Sequence, residues 1–256
     1  MPSRKRQERI VRILDSLRSG GGASIRDLAS DLDVSEMTIR RDLELMSSEG
    51  SVRLVHAGAI PSNSPTAGYS LSSERSPGAE EKMRIGQKAA SLVEPGDVVI
   101  IDSGATTEWL TRSIPPDLPV TILCFALNIA LEASRHPART VVLAGGALRG
   151  ETLVCQSPEG VSLVRRFRAN KAFLSAGGAS DSLGVTCIDA AEAELKKAAV
   201  ASSKTRILLA DSRKFGRVTP AWFADLRDFD AIVTDPGISL EYVEIIRNLG
   251  ISLHVE

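Results

Sequence analysis

The residues best suited to chemistry in this 256-residue chain fall in two places. Near the N-terminus, Ser35, Glu36, Met37, Thr38, Arg40 and Arg41 form a polar set on an amphipathic stretch, and Arg53 and His56 follow on a short extended run. An arginine donates two hydrogen bonds to guanine O6 and N7, and a threonine methyl packs on thymine. Arginines also hold phosphates, which positions a protein without specifying a sequence. Both roles are open to Arg40 and Arg41, while Arg53 and His56 can reach the backbone or the minor groove. Farther along, Asp102-Ser103-Gly104-Ala105-Thr106-Thr107 follows the apolar run VVII and precedes a helical pattern. Small residues let an anion approach the backbone, and hydroxyls and free N–H groups at a helix start hold phosphate. Serine and threonine are equally good plain helix caps, so the residues alone leave a ligand-free start open.

Positioning these sets requires two different kinds of structure. Residues 4–18 place Ile10, Ile13, Leu14 and Leu17 at helical spacing, and Ser19 with Gly20 to Gly22 breaks that helix. Ser24 caps a second helix with Ile25, Leu28, Ala29 and Leu32 on one face; Asp33-Val34 turns the chain. Ser35 then caps a third helix over 35–49, with Ile39, Leu43 and Met46 inward and Gly50 as its stop. Short helix, tight turn and polar second helix is the pattern of a helix-turn-helix. An ordinary helix pair with a solvated charged face is the competing reading, and Asp42, Glu44 and Glu49 favour it. Residues 52–60 read as a hairpin or wing. The stretch PSNSPTAGYSLSSERSPGA at 61–79 reads as a linker, with Tyr69 and Leu71 as docking residues.

Beyond a helix at 80–92, short β-branched runs recur at 98–101, 120–123, 140–144, 171–176, 206–210, 231–234 and 251–255. Helical patterns at 106–113, 128–135, 189–203 and 239–249 lie between most of them. Continuous apolar strands alternating with amphipathic helices predict an α/β fold, a doubly wound and mostly parallel sheet covered on both faces. The expected organisation is therefore a small N-terminal domain at 1–60, a linker at 61–79 and an α/β domain at 80–256.

Composition limits the remaining classes. The net charge of −1 excludes a generally basic nucleic-acid binder, so DNA contact has to come from a local patch. Residues 1–12 supply one, with Arg4, Lys5, Arg6, Arg9 and Arg12 against Glu8 alone. Cys124, Cys155 and Cys187 are odd in number and lack a CxxC pair, which reads as reduced thiols in a cytoplasmic protein. His56, His136 and His254 are scattered, so no metal is expected. The charged N-terminus carries no signal sequence, and the apolar runs are too short for a bilayer, so no membrane is expected. GGALRG at 145–150 lacks the GxGxxG order, which argues against a dinucleotide cofactor; no cofactor is expected.

The N-terminal pattern resembles the signature of the DeoR family of bacterial regulators. It runs from Arg9 through Ile13 and Leu17 to Ser35 and Thr38-Ile39-Arg40-Arg41-Asp42-Leu43, with every fixed position filled. The resemblance implies a winged helix-turn-helix, repression of a sugar-use operon and a structural Asp42 tied to Arg40 or a neighbouring backbone group. It extends over nearly the full length. The loop at 102–107 matches the family's phosphate loop with Ala105 in place of a threonine. Asn128 stands at a strand end, Gly145-Gly146 and Gly177-Gly178 stand at glycine turns, and Asp211-Ser212-Arg213-Lys214-Phe215-Gly216 carries Arg213 where a serine is usual. The segments CFALN, GVTC and KFGRVTPAWFADLRDFD narrow the likeness to one member. The family's effector domain resembles the ribose-5-phosphate isomerase fold. This implies a phosphorylated sugar, deoxyribose 5-phosphate or another pentose or tetrose phosphate, held by residues 102–107, Asn128, Gly177, Gly178, Lys196, Asp211 and Lys214. Asp181 is a further candidate for sugar hydroxyls. A homodimer or homotetramer on operator DNA follows, because helix-turn-helix proteins bind paired half-sites. The alternative is a sugar-phosphate isomerase, for which Glu192 or Glu194 would be the base.

Overall fold

The computed structural model of the chain describes residues 4–20, 23–48, 51–55, 58–61 and 78–256. It divides into two compact units, residues 1–70 and 71–256. Most of the expected linker, including Tyr69 and Leu71, lies outside the described residues, as do Glu49, Gly50 and His56.

The first unit contains α1 (Arg4–Gly20), β1 (Ala23–Ser24), α2 (Ile25–Asp31), α3 (Glu36–Ser48), β2 (Val52–Val55) and β3 (Gly58–Pro61). Helical spacing brings Ile13 and Leu17 of α1, Leu28 of α2, and Ile39, Leu43 and Met46 of α3 into one core, closed by Val52 and Ala59. The Ser24 hydroxyl accepts the Asp27 N–H at 3.1 Å and starts α2. Asp33 takes the left-handed conformation (φ 51°) that the tight turn requires. The wing is a three-stranded antiparallel sheet in the order β1-β3-β2; its short first strand has no periodic signal in the sequence.

The second unit begins with α4 (Ala79–Ala90), β4 (Val98–Ile101), α5 (Ala105–Ser113), β5 (Val120–Cys124), α6 (Leu127–Ala133) and β6 (Arg139–Leu143). A ribbon, β7 (Ala147–Arg149) and β8 (Val154–Gln156), leads into α7 (Pro158–Arg166) and β9 (Ala169–Ser175). Then come β10 (Gly178–Ser180), β11 (Gly184–Cys187), α8 (Ala190–Ser202), β12 (Ser203–Leu209), β13 (Ala221–Ala224), β14 (Ala231–Thr234), α9 (Leu240–Asn248) and β15 (Ser252–Val255). Seven strands form one sheet in the order β15-β14-β12-β9-β4-β5-β6, and every pairing in it is parallel. Its centre is apolar on both faces: Val99, Ile100, Ile101, Phe173, Leu174, Leu208, Ile232 and Val233 are all buried. Two small antiparallel sheets, β7-β8 and β10-β11-β13, stand apart from it.

The strand order fixes where a ligand can enter. From β4 the chain steps outward through β5 to β6, then returns to β9 on the other side of β4 and steps away through β12, β14 and β15. Right-handed crossovers therefore put α5 and α6 on one face and α8 and α9 on the other. The direction reverses between β4 and β9, and the connections leaving their carboxyl ends diverge there and open a crevice. Among the described residues, no helix is long and apolar enough to cross a membrane.

Candidate DNA-reading helix and sensor crevice

The Ser35 hydroxyl accepts the Thr38 N–H at 3.2 Å and lies 2.9 Å from the Thr38 hydroxyl, so it caps α3. Burying Ile39, Leu43 and Met46 turns Glu36, Met37, Arg40 and Arg41 to solvent. Met37 is 58% exposed, an apolar side chain left out of the core at a helix start. Six predicted contact residues thus share the beginning of one helix. Arg53 lies on β2, and its side chain, like His56 as a whole, falls outside the described residues.

Asp42 is structural, but its partners are not the expected ones. It is buried, with Arg6 Nε donating to Oδ1 at 2.8 Å and Arg9 Nε donating to Oδ2 at 2.7 Å. Arg40 points to solvent because it stands on the opposite side of α3. Two arginines of α1 therefore clasp the helix that carries the polar set.

In the second unit, Asp102 follows β4 and is fully buried. Its Oδ1 accepts the Ser103 N–H at 2.7 Å; its Oδ2 accepts the Ser175 N–H at 2.7 Å, the Ser175 hydroxyl at 2.9 Å and the Lys196 ammonium. Lys196 also faces Glu192 at 3.2 Å and Phe223, and the Ser103 hydroxyl donates to Glu192 at 2.9 Å. Burial pushes the Lys196 pKa down, but Asp102 and Glu192 more than offset it, so the pKa is raised. Burial raises the Glu192 pKa against the pull of Lys196. Asp102, Ser103 and Lys196 are thus brought together as predicted, but facing one another, with Ser175 and Glu192 completing the cluster. They shape the loop above them.

That loop starts α5. Gly104 adopts φ 119°, which favours glycine, and the Thr107 hydroxyl donates to Gly104 O at 2.9 Å. Thr106 and Thr107 are buried and Ala105 is half-buried. Asn128 at the start of α6 donates to Glu108 at 3.1 Å, while its Oδ1 is buried without a partner. Gly177 and Gly178 serve packing: a Cβ would lie 2.7 Å from the Thr219 hydroxyl at Gly177 and 2.2 Å from Arg217 O at Gly178. Asp181 is exposed.

Asp211 lies two residues beyond Leu209, which pairs with Ser175 across β12 and β9, so it flanks the same sheet edge. It is buried; Oδ1 takes Arg213 Nε at 2.9 Å and Oδ2 has no hydrogen-bond partner. Lys214 and Lys82 face it. Burial lowers the Lys82 pKa to about 8, Asp211 opposing while Lys214 and Arg213 push the same way. Burial also lowers the Lys214 pKa. Sequence reasoning missed Lys82. Helix α4 ends just before β4 begins and α5 starts just after β4 ends, so both helices start at the carboxyl edge of the sheet. They pack so closely that a Cβ on Gly86 would lie 2.6 Å from Trp109 Cβ and 2.7 Å from Leu110 N. Lys82, one turn before Gly86, is level with the first turn of α5. The crevice thus combines a helix start rich in free N–H groups with two lysines and one buried carboxylate.

Comparison with known proteins agrees over both halves. The DeoR-like helix-turn-helix domain model matches residues 9–65, and the DeoR C terminal sensor domain model matches residues 78–236. The chain is 34% identical to the deoxyribose operon repressor of Escherichia coli (strain K12), over 97% of this chain and 98% of that one. It is 30% identical to the HTH-type transcriptional regulator IolR of Bacillus subtilis (strain 168), over 96% and 98%. A solved D-ribose-5-phosphate isomerase in complex with phospho-erythronic acid overlaps 53% of each chain at 17% identity and a TM-score of 0.40, too remote to support any functional argument. With both domain models in order and relatives aligned end to end, this chain belongs to the DeoR family of transcriptional regulators.

Proposed function

We propose that the chain represses a sugar or nucleoside catabolic operon and is released from its operator by a phosphorylated sugar. The observation that carries the sensing half is the start of α5 at the switch point. There Lys82, Lys214 and Arg213 stand with Asp211 and Glu81, three cations to two carboxylates. A phosphate would take the α5 N–H groups and those lysines, and the partnerless oxygens of Asn128 and Asp211 would accept from sugar hydroxyls. Deoxyribose 5-phosphate is the leading ligand, since a relative is named for the deoxyribose operon. Another pentose or a tetrose phosphate fits the same chemistry, with Ala105 removing one hydroxyl from the loop.

In this reading α3 enters the major groove with Ser35, Glu36, Met37, Thr38, Arg40 and Arg41, and a homodimer or homotetramer engages paired half-sites in the cytoplasm. Release requires the ligand to bind the DNA-free arrangement more tightly than the DNA-bound one. The chain is a regulator and not an isomerase. Its relatives are named as regulators and repressors, Glu194 is engaged by Lys197 at the surface, and Glu192 is locked against Lys196.

The test titrates the full chain with deoxyribose 5-phosphate, ribose 5-phosphate, a tetrose phosphate and inorganic phosphate. Melting temperature is read alongside gel shift on duplex DNA from upstream of the neighbouring operon. One sugar phosphate should raise the melting temperature and free the DNA. No DNA binding at low salt ends the repressor reading; DNA binding with no response to any sugar phosphate ends the effector reading.

A further inference from the structure

The contact between α1 and α3 carries more positive charge than holding two helices together needs. One arginine would neutralise Asp42, yet Arg6 and Arg9 both converge on it, one on each carboxylate oxygen. The pair stands at i and i+3 on one face of α1, so both guanidinium groups arrive from the same side. Asp42 is 2% exposed, and the side chains of Arg6 and Arg9 are 34% and 19% exposed. Among the described residues, two cations therefore meet one carboxylate in a cluster partly withdrawn from water, an arrangement that costs stability unless a further anion shares it. Each guanidinium reaches Asp42 through Nε, which leaves four of its five N–H donors unspent on that carboxylate.

We propose that Arg6 and Arg9 form a phosphate clamp on the DNA backbone, preset by Asp42 against the side of the recognition helix. This rests on reading α3 as that helix. Asp42 lies four residues beyond Thr38, about 6 Å along the axis from the groove-entering turn. That displacement suits the phosphate rail bordering a major groove ~12 Å wide. A planar guanidinium fixed by a carboxylate on one edge offers a preorganised fork to a phosphate on the other. The clamp fixes register and adds affinity without reading bases. It also gives a function to two separated positions of the family pattern, Arg9 and Asp42, which meet in space.

The experiment uses the full chain and duplexes that the wild type selects from a random-sequence pool. Affinity is measured against salt for wild type, Arg6→Ala, Arg9→Ala and Asp42→Asn, with thermal melting of each. Each arginine variant should flatten the log–log salt slope by about 0.9, the share of one B-DNA phosphate. The loss should be equal on selected and scrambled duplexes. Asp42→Asn should weaken binding although it removes a negative charge facing the DNA. Unchanged slopes in both arginine variants, or tighter binding by Asp42→Asn, would overturn the clamp. Should Arg9→Ala melt below the assay temperature, the more exposed Arg6→Ala decides alone by the same slope. A wild type that retrieves no duplex at all sinks the recognition-helix reading itself, whereas a wild type that binds while the variants keep its slope sinks the clamp alone.

Discussion

At Asp42 one buried carboxylate holds two arginines; at Lys196 one buried ammonium holds two carboxylates. The two clusters use the same ingredients and leave excess charge of opposite sign. Their surroundings account for the difference. The arginines stand partly in solvent, where a polyanion can approach, so positive excess there is useful. Lys196 is 1% exposed, and a negative excess beneath the proposed phosphate loop would repel such a ligand. The sensor cluster lessens it in one way: burial favours the protonated form of Glu192, against the pull of Lys196 and of the Ser103 hydroxyl that donates to it. Exposure, more than residue type, separates an interface from an internal brace. By this measure Lys196 acts on the loop through Asp102, and the proposed phosphate falls to Lys82 and Lys214.

Replacing Lys196 by Met tests that assignment most severely. It strips the only cation from two buried carboxylates among the described residues of the cluster, and breaking such a buried network costs roughly 3–5 kcal/mol. Urea unfolding of the full chain should show the sensor-domain transition lowered by that amount. A variant of near-normal stability that fails to bind sugar phosphate would return Lys196 to the ligand and erase the contrast between the clusters.

Within the DNA-reading half the same logic separates Arg40 from the clasped arginines. Arg40 is exposed and makes no contact with Asp42. Arg40→Ala should cost ~1–3 kcal/mol of affinity for selected duplex and relax specificity at one base position. Fluorescence anisotropy against single-base variants of that duplex measures both. Unchanged affinity removes Arg40 from the interface. A smaller effect distinguishes the two threonines of the loop. Thr107→Val loses a buried hydrogen bond to Gly104 O and should cost about 1 kcal/mol of stability. Thr106→Val should leave stability and DNA binding intact while abolishing the response to ligand; a normal response would move the phosphate away from Thr106.

Local pattern made some of this legible and hid the rest. The seven strands of the main sheet could be read because each is a short, mainly apolar run bounded by turn residues, buried on both faces at the centre of the sheet and less so at the edge strands β6 and β15. The strands β7, β8, β10, β11 and β13 are three or four residues long and are set by tertiary packing, so no period betrays them. The loop at 102–107 stood out because small and hydroxyl residues follow VVII. Lys82 did not, since Glu80-Glu81-Lys82-Met83-Arg84 looks like any solvated helix face until Gly86 brings α4 onto α5. Asp42 was recognised as structural, but its partners are 33 and 36 residues away, beyond any local spacing. The usable signal was that Arg9 and Asp42 both belong to one spaced pattern.

Lys82 yields the smallest and most particular effect. Its pKa is lowered to about 8, first by burial and then by Lys214 and Arg213, with Asp211 and Glu81 opposing. The ammonium is therefore mostly present below pH 8 and is lost as pH rises through that value. Affinity for a phosphorylated sugar should weaken over the same interval, by under about fivefold, since one charge–charge contact in a partly wet site contributes ~1 kcal/mol. A bound phosphate favours the ammonium form, so the midpoint in the complex should lie higher than in the free chain. Calorimetric titration between pH 7 and 9.5 reads both. A phosphate ester is already a dianion over most of that range, so its own titration contributes little. In Lys82→Met the profile should be flat, with the affinity of the wild type at high pH. A variant that keeps the full pH dependence would remove Lys82 from the phosphate and pass the titration to another group, Lys214 of the same cluster first.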